Sequence, residues 1–228
     1  MSNSKQLATS RKNLLARAID RYKERAELKR GVRIGFLIDA TASRENTWEQ
    51  AQTIQAKMFR SASGLKALKL RLVYFGGNQL TKLGWNDNER SVAAHMAAVR
   101  CSAGLTQIIP GLEAFIDEKP ENRAGAIILI GDCFEEDSAI STKTATLLKD
   151  KGIKVFSFIE GEDWTAHSVF KNLAAVTGGK FAKFGDDLPL DDLCEGVALM
   201  ASGGEKALTR LKNDKVRQLL LPPSKKKR

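Results

Sequence analysis

The chain has little of what a secreted or membrane-spanning protein carries. Only three of its 228 residues are cysteine, Cys101, Cys133 and Cys194. An odd, widely spaced set is a poor disulfide framework, and no C-x-x-C pair offers zinc a foothold. Reduced thiols in a cytoplasm are the expected state. No apolar run approaches the roughly 20 residues of a membrane span, so no membrane partner is expected. The first residues, MSNSKQLATSRKN, lack the apolar core of a signal peptide. Histidine occurs only twice, as His95 and His167. Neither has a second ligand nearby in sequence, so both read as structural. There is no G-x-x-x-x-G-K loop, and no G-x-G-x-x-G follows the first apolar strand.

What is present suits a globular domain. Hydrophobic residues make up 43 % of the chain, enough to bury a core. The length sits at the upper end of the single-domain range. The net charge of +10 is unevenly spread. Residues 1–30 hold nine Lys/Arg against three Asp/Glu, and residues 205–228 hold nine against two. The middle is mildly acidic, with 19 basic and 22 acidic residues. Three segments follow: a basic helical extension (1–30), a central domain (31–203), and a basic helix with a disordered tail (204–228).

The pattern of the central segment alternates strand and helix. Val32–Ile38 reads as a buried strand ending at Asp39. A helix begins around Trp48. Leu70–Phe75 is a strand, and Gly76-Gly77-Asn78 a tight turn into a short strand from Leu80. Helices are expected over Ser91–Arg100, behind Ile108, over Ser138–Lys151, and through Val169–Val176, closed by Gly178-Gly179. Ala126–Ile130 is the most apolar run and a candidate central strand. Ile153–Ile159 and Phe181–Phe184 are two more strands. A final core helix carries Val197 and Met200. After Gly203-Gly204, Glu205–Leu221 reads as one basic helix stopped by Pro222-Pro223. This predicts an α/β fold: a doubly wound, mostly parallel six-stranded sheet with one antiparallel edge strand and helices on both faces.

Such sheets bind ligands beyond the carboxyl ends of their strands. The first strand runs out into Asp39-Ala40-Thr41-Ala42-Ser43, and the Ala126 strand into Gly131-Asp132. A small-residue loop between them carries Thr106. Two carboxylates and three hydroxyls, without His or Cys, form a hard-oxygen set that suits Mg2+ or Mn2+. So few charges leave an ion under-neutralised and open to one more anionic ligand.

The pattern resembles the metal-ion-dependent adhesion site (MIDAS) of von Willebrand factor A (VWA) domains, of the bacterial intracellular type. That site reads D-x-S-x-S, then a distant Thr, then an Asp after an apolar strand. Here D-A-T-A-S places Thr41 in the middle, keeping the hydroxyl. Thr106 stands in A-G-L-T, and Asp132 in I-L-I-G-D-C, where Cys133 replaces the usual glycine. The resemblance covers about residues 31 to 203. It implies that Thr41 and Ser43 coordinate directly, that Asp39 and Asp132 act through waters, and that Thr106 moves on and off the metal.

Plainer readings stand beside these. Asp39, Ser43 or Thr106 alone could cap a helix. Glu135-Glu136-Asp137 lines the metal rim or favours the next helix's N-terminus. Asp163 and Trp164 border the same face for a partner, or the aromatic folds back onto the core. The expected function is metal-dependent protein binding, not catalysis, with a partner's Asp or Glu completing the metal. One alternative is nucleic-acid binding through the basic ends, as in A-type domains similar to Ku or Ro proteins. Another is a metal-dependent phosphate hydrolase. Haloacid-dehalogenase-type phosphatases want D-x-D, and Thr41 in the second position cannot do that acid–base work.

Overall fold

The computed structural model describes residues 32–46, 48, 68–183, 192, 195–197, 199–200 and 206–221. The expected helices over 10–30 and beyond Trp48, the Gly203-Gly204 hinge, Cys194 and the lysine-rich tail lie outside the described residues.

Six strands form one sheet: β1 (Val32–Asp39), β2 (Leu68–Gly76), β3 (Gln79–Lys82), β4 (Ala126–Gly131), β5 (Lys154–Ile159) and β6 (Phe181–Lys183). Their order is β3-β2-β1-β4-β5-β6. Every pair is parallel except β2 with β3. Strands β1, β4 and β5 are near-continuous apolar runs because both their faces are covered. All six residues of β4 are buried. Alternate side chains feed two cores. Ile34, Phe36, Ile38, Ile128 and Ile130 belong to one. Leu37, Ile127 and Leu129 belong to the other.

The β2–β3 hairpin turns on Gly77 and Asn78, with φ of 62° and 58°. Both central residues are left-handed, the geometry that matches the strand twist and that Gly and Asn tolerate. Five helices are complete among the described residues: α1 (Glu89–Ala98), α2 (Ile108–Ile116), α3 (Ser138–Asp150), α4 (Trp164–Thr177) and α5 (Asp214–Leu220). Asn88, Asp137, Asp163 and Asn213 cap the N-termini of α1, α3, α4 and α5 with side-chain oxygens. None of the helices among the described residues is long and apolar enough to cross a membrane.

One expectation is corrected. The basic stretch 205–221 is not a single helix. A 3-10 turn at Leu208–Arg210 ends in extended Leu211, and Asn213 then starts α5 by accepting from the N–H groups of Lys215 and Val216. The break lets Leu208, Leu211, Val216 and Leu220 all enter the core that lies against β1 and β4. A straight basic helix would leave part of that set in water.

Strand order reverses between β1 and β4. Chain leaving β1 passes toward β2, and chain leaving β4 toward β5. Their carboxyl ends therefore open a crevice between the diverging connections.

Candidate metal centre

β1 and β4 deliver the two expected carboxylates, Asp39 and Asp132, to this crevice. Asp39, the last residue of β1, is wholly buried. Its Oδ1 accepts from the Thr41 N–H at 2.8 Å and from the Thr41 hydroxyl at 2.6 Å. Thr41 Oγ1 lies 3.0 Å from Ser43 Oγ. The three oxygens thus form a hydrogen-bonded line along one turn. Thr41 is the N-cap of the 3-10 turn Ala42–Arg44 but makes no side-chain cap bond. Capping of this turn does not account for the Thr41 side chain.

The other oxygen of Asp39 is left over. Oδ2 is buried and has no hydrogen-bond partner, and the same holds for Oδ1 of Asp132 just beyond β4. Gly131 explains how the strand ends come so close. A Cβ on it would sit 3.2 Å from Asp39 Cβ and 3.4 Å from Asp39 Oδ2. Buried carboxylate oxygens without a donor are costly, and a cation is one way to satisfy them. Burial pushes the Asp39 carboxyl up to about 6, against the pull of Thr41 and Arg44 and with a push from Asp132. Among the described residues no group of three or more His, Cys, Asp or Glu side chains forms a metal cluster. A set of two carboxylates and three hydroxyls falls outside that description, and its donors fit a hard divalent cation.

Thr106 reaches the same edge by a different route. Its loop is held by the hairpin: Gly77 N–H donates to Ser102 O (3.0 Å), and Leu105 N–H to Asn78 Oδ1 (3.0 Å). Its hydroxyl donates to Glu136 (3.1 Å) and accepts from the Glu135 N–H (3.0 Å). Thr106 is therefore tied to the loop after Asp132 and makes no hydrogen bond to Asp39, Thr41 or Ser43. Nor does it cap α2. Glu136 does that, accepting from the N–H groups of Ile108 (2.9 Å) and Ile109 (2.7 Å). Burial raises the Glu136 carboxyl, opposed by those two donors and Thr106.

The acidic run thus divides its duties. Asp137 caps the next helix, α3, as a charge run there often does. Glu136 caps the earlier helix, α2, and Glu135 is exposed while its carboxylate accepts from Thr106 N–H at 3.0 Å. Asp163 is engaged as the α4 cap, accepting from Ala166 N–H at 2.5 Å. Trp164 does not fold back; it is 85 % exposed.

Burial raises both described thiols, Cys101 to about 11, so they remain protonated near neutrality. His95 Nδ1 contacts Ser91 O at 2.8 Å, and His167 packs edge-on against Phe181.

Sequence reasoning missed Arg44 and Glu160. Arg44 follows Ser43 directly, yet its side chain is 0 % exposed and pairs with Glu160 at 2.8 and 3.1 Å. It also donates to the Asp39 carbonyl and lies 5.2 Å from the Trp48 ring centre. Glu160, immediately past β5, could have been found as an acidic residue at the same sheet edge. Its arginine partner is 116 positions away and leaves no local signal.

Comparison places this architecture among known folds. The chain is similar to the conserved hypothetical protein BatB from Bacteroides thetaiotaomicron, at 16 % identity and TM-score 0.62, over 77 % of this chain and 100 % of that one. It is similar to proximal thread matrix protein 1 of the mussel byssus, in a structure with a zinc-occupied MIDAS motif, at 21 % identity and TM-score 0.61. That match covers 75 % of this chain and 46 % of the byssus protein, so the chain spans less than half its length. The SpRpn10 VWA domain matches at 14 % identity and TM-score 0.55, over 71 % of this chain and 92 % of that one. No family model and no curated protein matches by sequence. The fold is that of a VWA domain, with a mixed six-stranded sheet and one antiparallel edge strand.

Proposed function

We propose that the crevice binds Mg2+ or Mn2+ and that the bound ion recruits an Asp or Glu from a protein partner. The observation that carries this is the pair of orphaned, buried carboxylate oxygens, Asp39 Oδ2 and Asp132 Oδ1, on adjacent strand ends. Thr41 and Ser43 supply hydroxyls on the β1 side, and Thr106 supplies its remaining lone pair from the facing loop. A site with only two carboxylates leaves no surplus of negative charge to repel an outside anion from the ion. The zinc-occupied MIDAS of the byssus protein supports a divalent ion on this fold. The rim supports a protein ligand: Trp164 and the 64 %-exposed Leu105 offer apolar contact, and Glu135 offers a polar one. In this reading the role is binding and not catalysis.

The test is Mn2+ binding to the full chain by calorimetry, with Asp132→Ala as the variant. Asp132 is only partly buried, so its loss spares the fold better than that of Asp39. Saturable binding in the wild type, lost in the variant, is the expected result. Equal heats from both proteins would sink the proposal. The exposed Lys206, Arg210 and Lys212 keep a nucleic-acid reading in view. RNA or DNA affinity that falls steeply with salt would favour it.

A further inference from the structure

We infer that the buried Arg44–Glu160 pair is a brace that holds the two carboxylates of the crevice at metal-binding separation. The inference rests on the metal reading of that crevice and names the residues that position its ligands.

The connections run in one circuit. The Arg44 guanidinium forks onto both oxygens of Glu160, at 2.8 and 3.1 Å. The same guanidinium donates to the backbone carbonyl of Asp39. The backbone N–H of Glu160 donates to the carbonyl of Gly131 at 2.9 Å, and Gly131 is bonded to Asp132. The pair therefore links the end of β1 to the end of β4 through a third strand end, that of β5. Sheet pairing between β1 and β4 stops at Ile38 with Ile130, one residue short of Asp39. Beyond that point the circuit takes over from the ladder.

Charge supports the same assignment. Arg44 lies close enough to pull on the Asp39 carboxylate. Unpaired, that fixed positive charge would oppose a cation. Glu160 cancels it and leaves the cup's own two carboxylates to face the metal. A bidentate fork also fixes direction as well as distance, which a lysine cannot copy. Trp48 covers the other side of the guanidinium, and its Nε1–H donates to Val99 O at 3.1 Å, so the arginine has no room to swing.

The test uses the full chain and Mn2+ alone as probe, in two variants, Glu160→Gln and Arg44→Lys. Glu160→Gln keeps shape and one acceptor but removes the charge. Arg44→Lys keeps the charge but loses the fork. We expect the Mn2+ dissociation constant to rise tenfold or more in both. Glu118→Gln, at a second buried pair remote from the crevice, is the control and should leave it unchanged. Hydrogen exchange without metal supplies an independent readout. The Thr41 and Glu160 amides should lose protection in both crevice variants while those of the β1–β2 ladder keep theirs. Mn2+ affinities within twofold of wild type, with Thr41 and Glu160 protection unchanged, would overturn the brace. If wild type binds no Mn2+, the metal reading fails, and exchange at those two amides still decides whether the pair holds the strand ends. If one variant does not fold, the other carries both measurements.

Discussion

Arg44 and Arg71 are buried in chemically similar boxes at different places on the sheet. Arg71, in the middle of β2, pairs with Glu118, donates to the carbonyls of Leu83 and Ala114, and lies 5.3 Å from the Phe115 ring centre. Arg44 has a glutamate, a carbonyl and the Trp48 ring. Each arginine thus has a carboxylate for its charge, carbonyls for spare N–H groups and an aromatic face for its plane. The difference is what the carbonyls belong to. Those around Arg71 belong to residues with no place in a site. The one held by Arg44 belongs to Asp39. The comparison teaches that these two buried arginines share one chemical solution, and that position alone decides whether it touches function.

The largest expected effect separates the two glutamates by stability. Glu160→Ala takes the counter-charge from a guanidinium that is 0 % exposed, and breaking a buried pair in this way costs about 3–5 kcal/mol. Glu118→Ala leaves Arg71, 10 % exposed beside a glutamate that is 19 % exposed, where entering water softens the loss to about 1–3 kcal/mol. Urea unfolding of the two variants checks the order. A larger loss for Glu118→Ala would break the comparison.

The second effect is a pH dependence confined to the crevice. Burial raises Asp39 from its ordinary 3.8 to about 6 in the folded protein. Between those values the native state holds a proton that the unfolded chain has released. Metal-free stability therefore falls as pH rises from about 4 to about 6, and then levels off. Two units correspond to on the order of 3 kcal/mol. Asp39→Asn should flatten this slope, leaving the share that the raised Glu136 carboxyl contributes, and be the more stable protein at pH 7 in chelator. Excess Mg2+ should reverse that order in favour of the wild type, because the ion prefers the charged carboxylate. Thermal melts at pH 4 and 7, with and without Mg2+, give the four numbers. A wild type that grows more stable from pH 4 to 6 in chelator would contradict the assignment.

Two glycines sharpen the contrast at smaller cost. A Cβ on Gly35 would lie 2.3 Å from the Phe115 ring, the ring that covers Arg71. Gly35→Ala should cost about 1–3 kcal/mol by overpacking and leave Mn2+ affinity alone. A Cβ on Gly131 meets only 3.2–3.4 Å contacts, with Asp39 and Phe170. Gly131→Ala should cost less stability, under about 1 kcal/mol, yet weaken Mn2+ severalfold by displacing Asp39. Calorimetry beside urea titration reads both, and parallel losses in the two variants would erase the distinction.

Much of this was legible in sequence, for physical reasons that differ by element. Ala126–Ile130 announced a central strand because burial on both faces demands an unbroken apolar run. Gly77-Asn78 announced the hairpin because few residues accept positive φ. Asp39, Thr41 and Ser43 could be placed in one turn because their spacing is local. What escaped were the side-chain contacts made by Arg44, Glu136 and the 205–221 stretch across the fold. Glu136 looks like a cap for the helix it precedes, and instead caps α2, 28 residues earlier. Glu205–Leu221 looks like one basic helix until the core claims both Leu211 and Val216. Arg44 looks like surface because long-range pairing with Glu160 has no period to betray it.

The smallest expected effect on stability belongs to Trp164, and it tests whether the crevice end of the molecule differs from the Arg71 end by facing a partner. The side chain is 85 % exposed at the first turn of α4, while the neighbouring Asp163 holds the cap. An indole in water gains nothing for the fold, so Trp164→Ala should change unfolding free energy by less than about 0.5 kcal/mol. Mn2+ affinity should not move either, since no atom of the cup depends on it. What should fall is the capture, in the presence of Mn2+, of an acidic protein partner from the native host, by tenfold or more if the indole anchors it. Asp163→Ala should show the reverse, with the helix weakened by about 1 kcal/mol through loss of its cap and capture largely kept. Capture unaffected by Trp164→Ala but abolished by Asp132→Ala would confine recognition to the metal and strip the rim of its role.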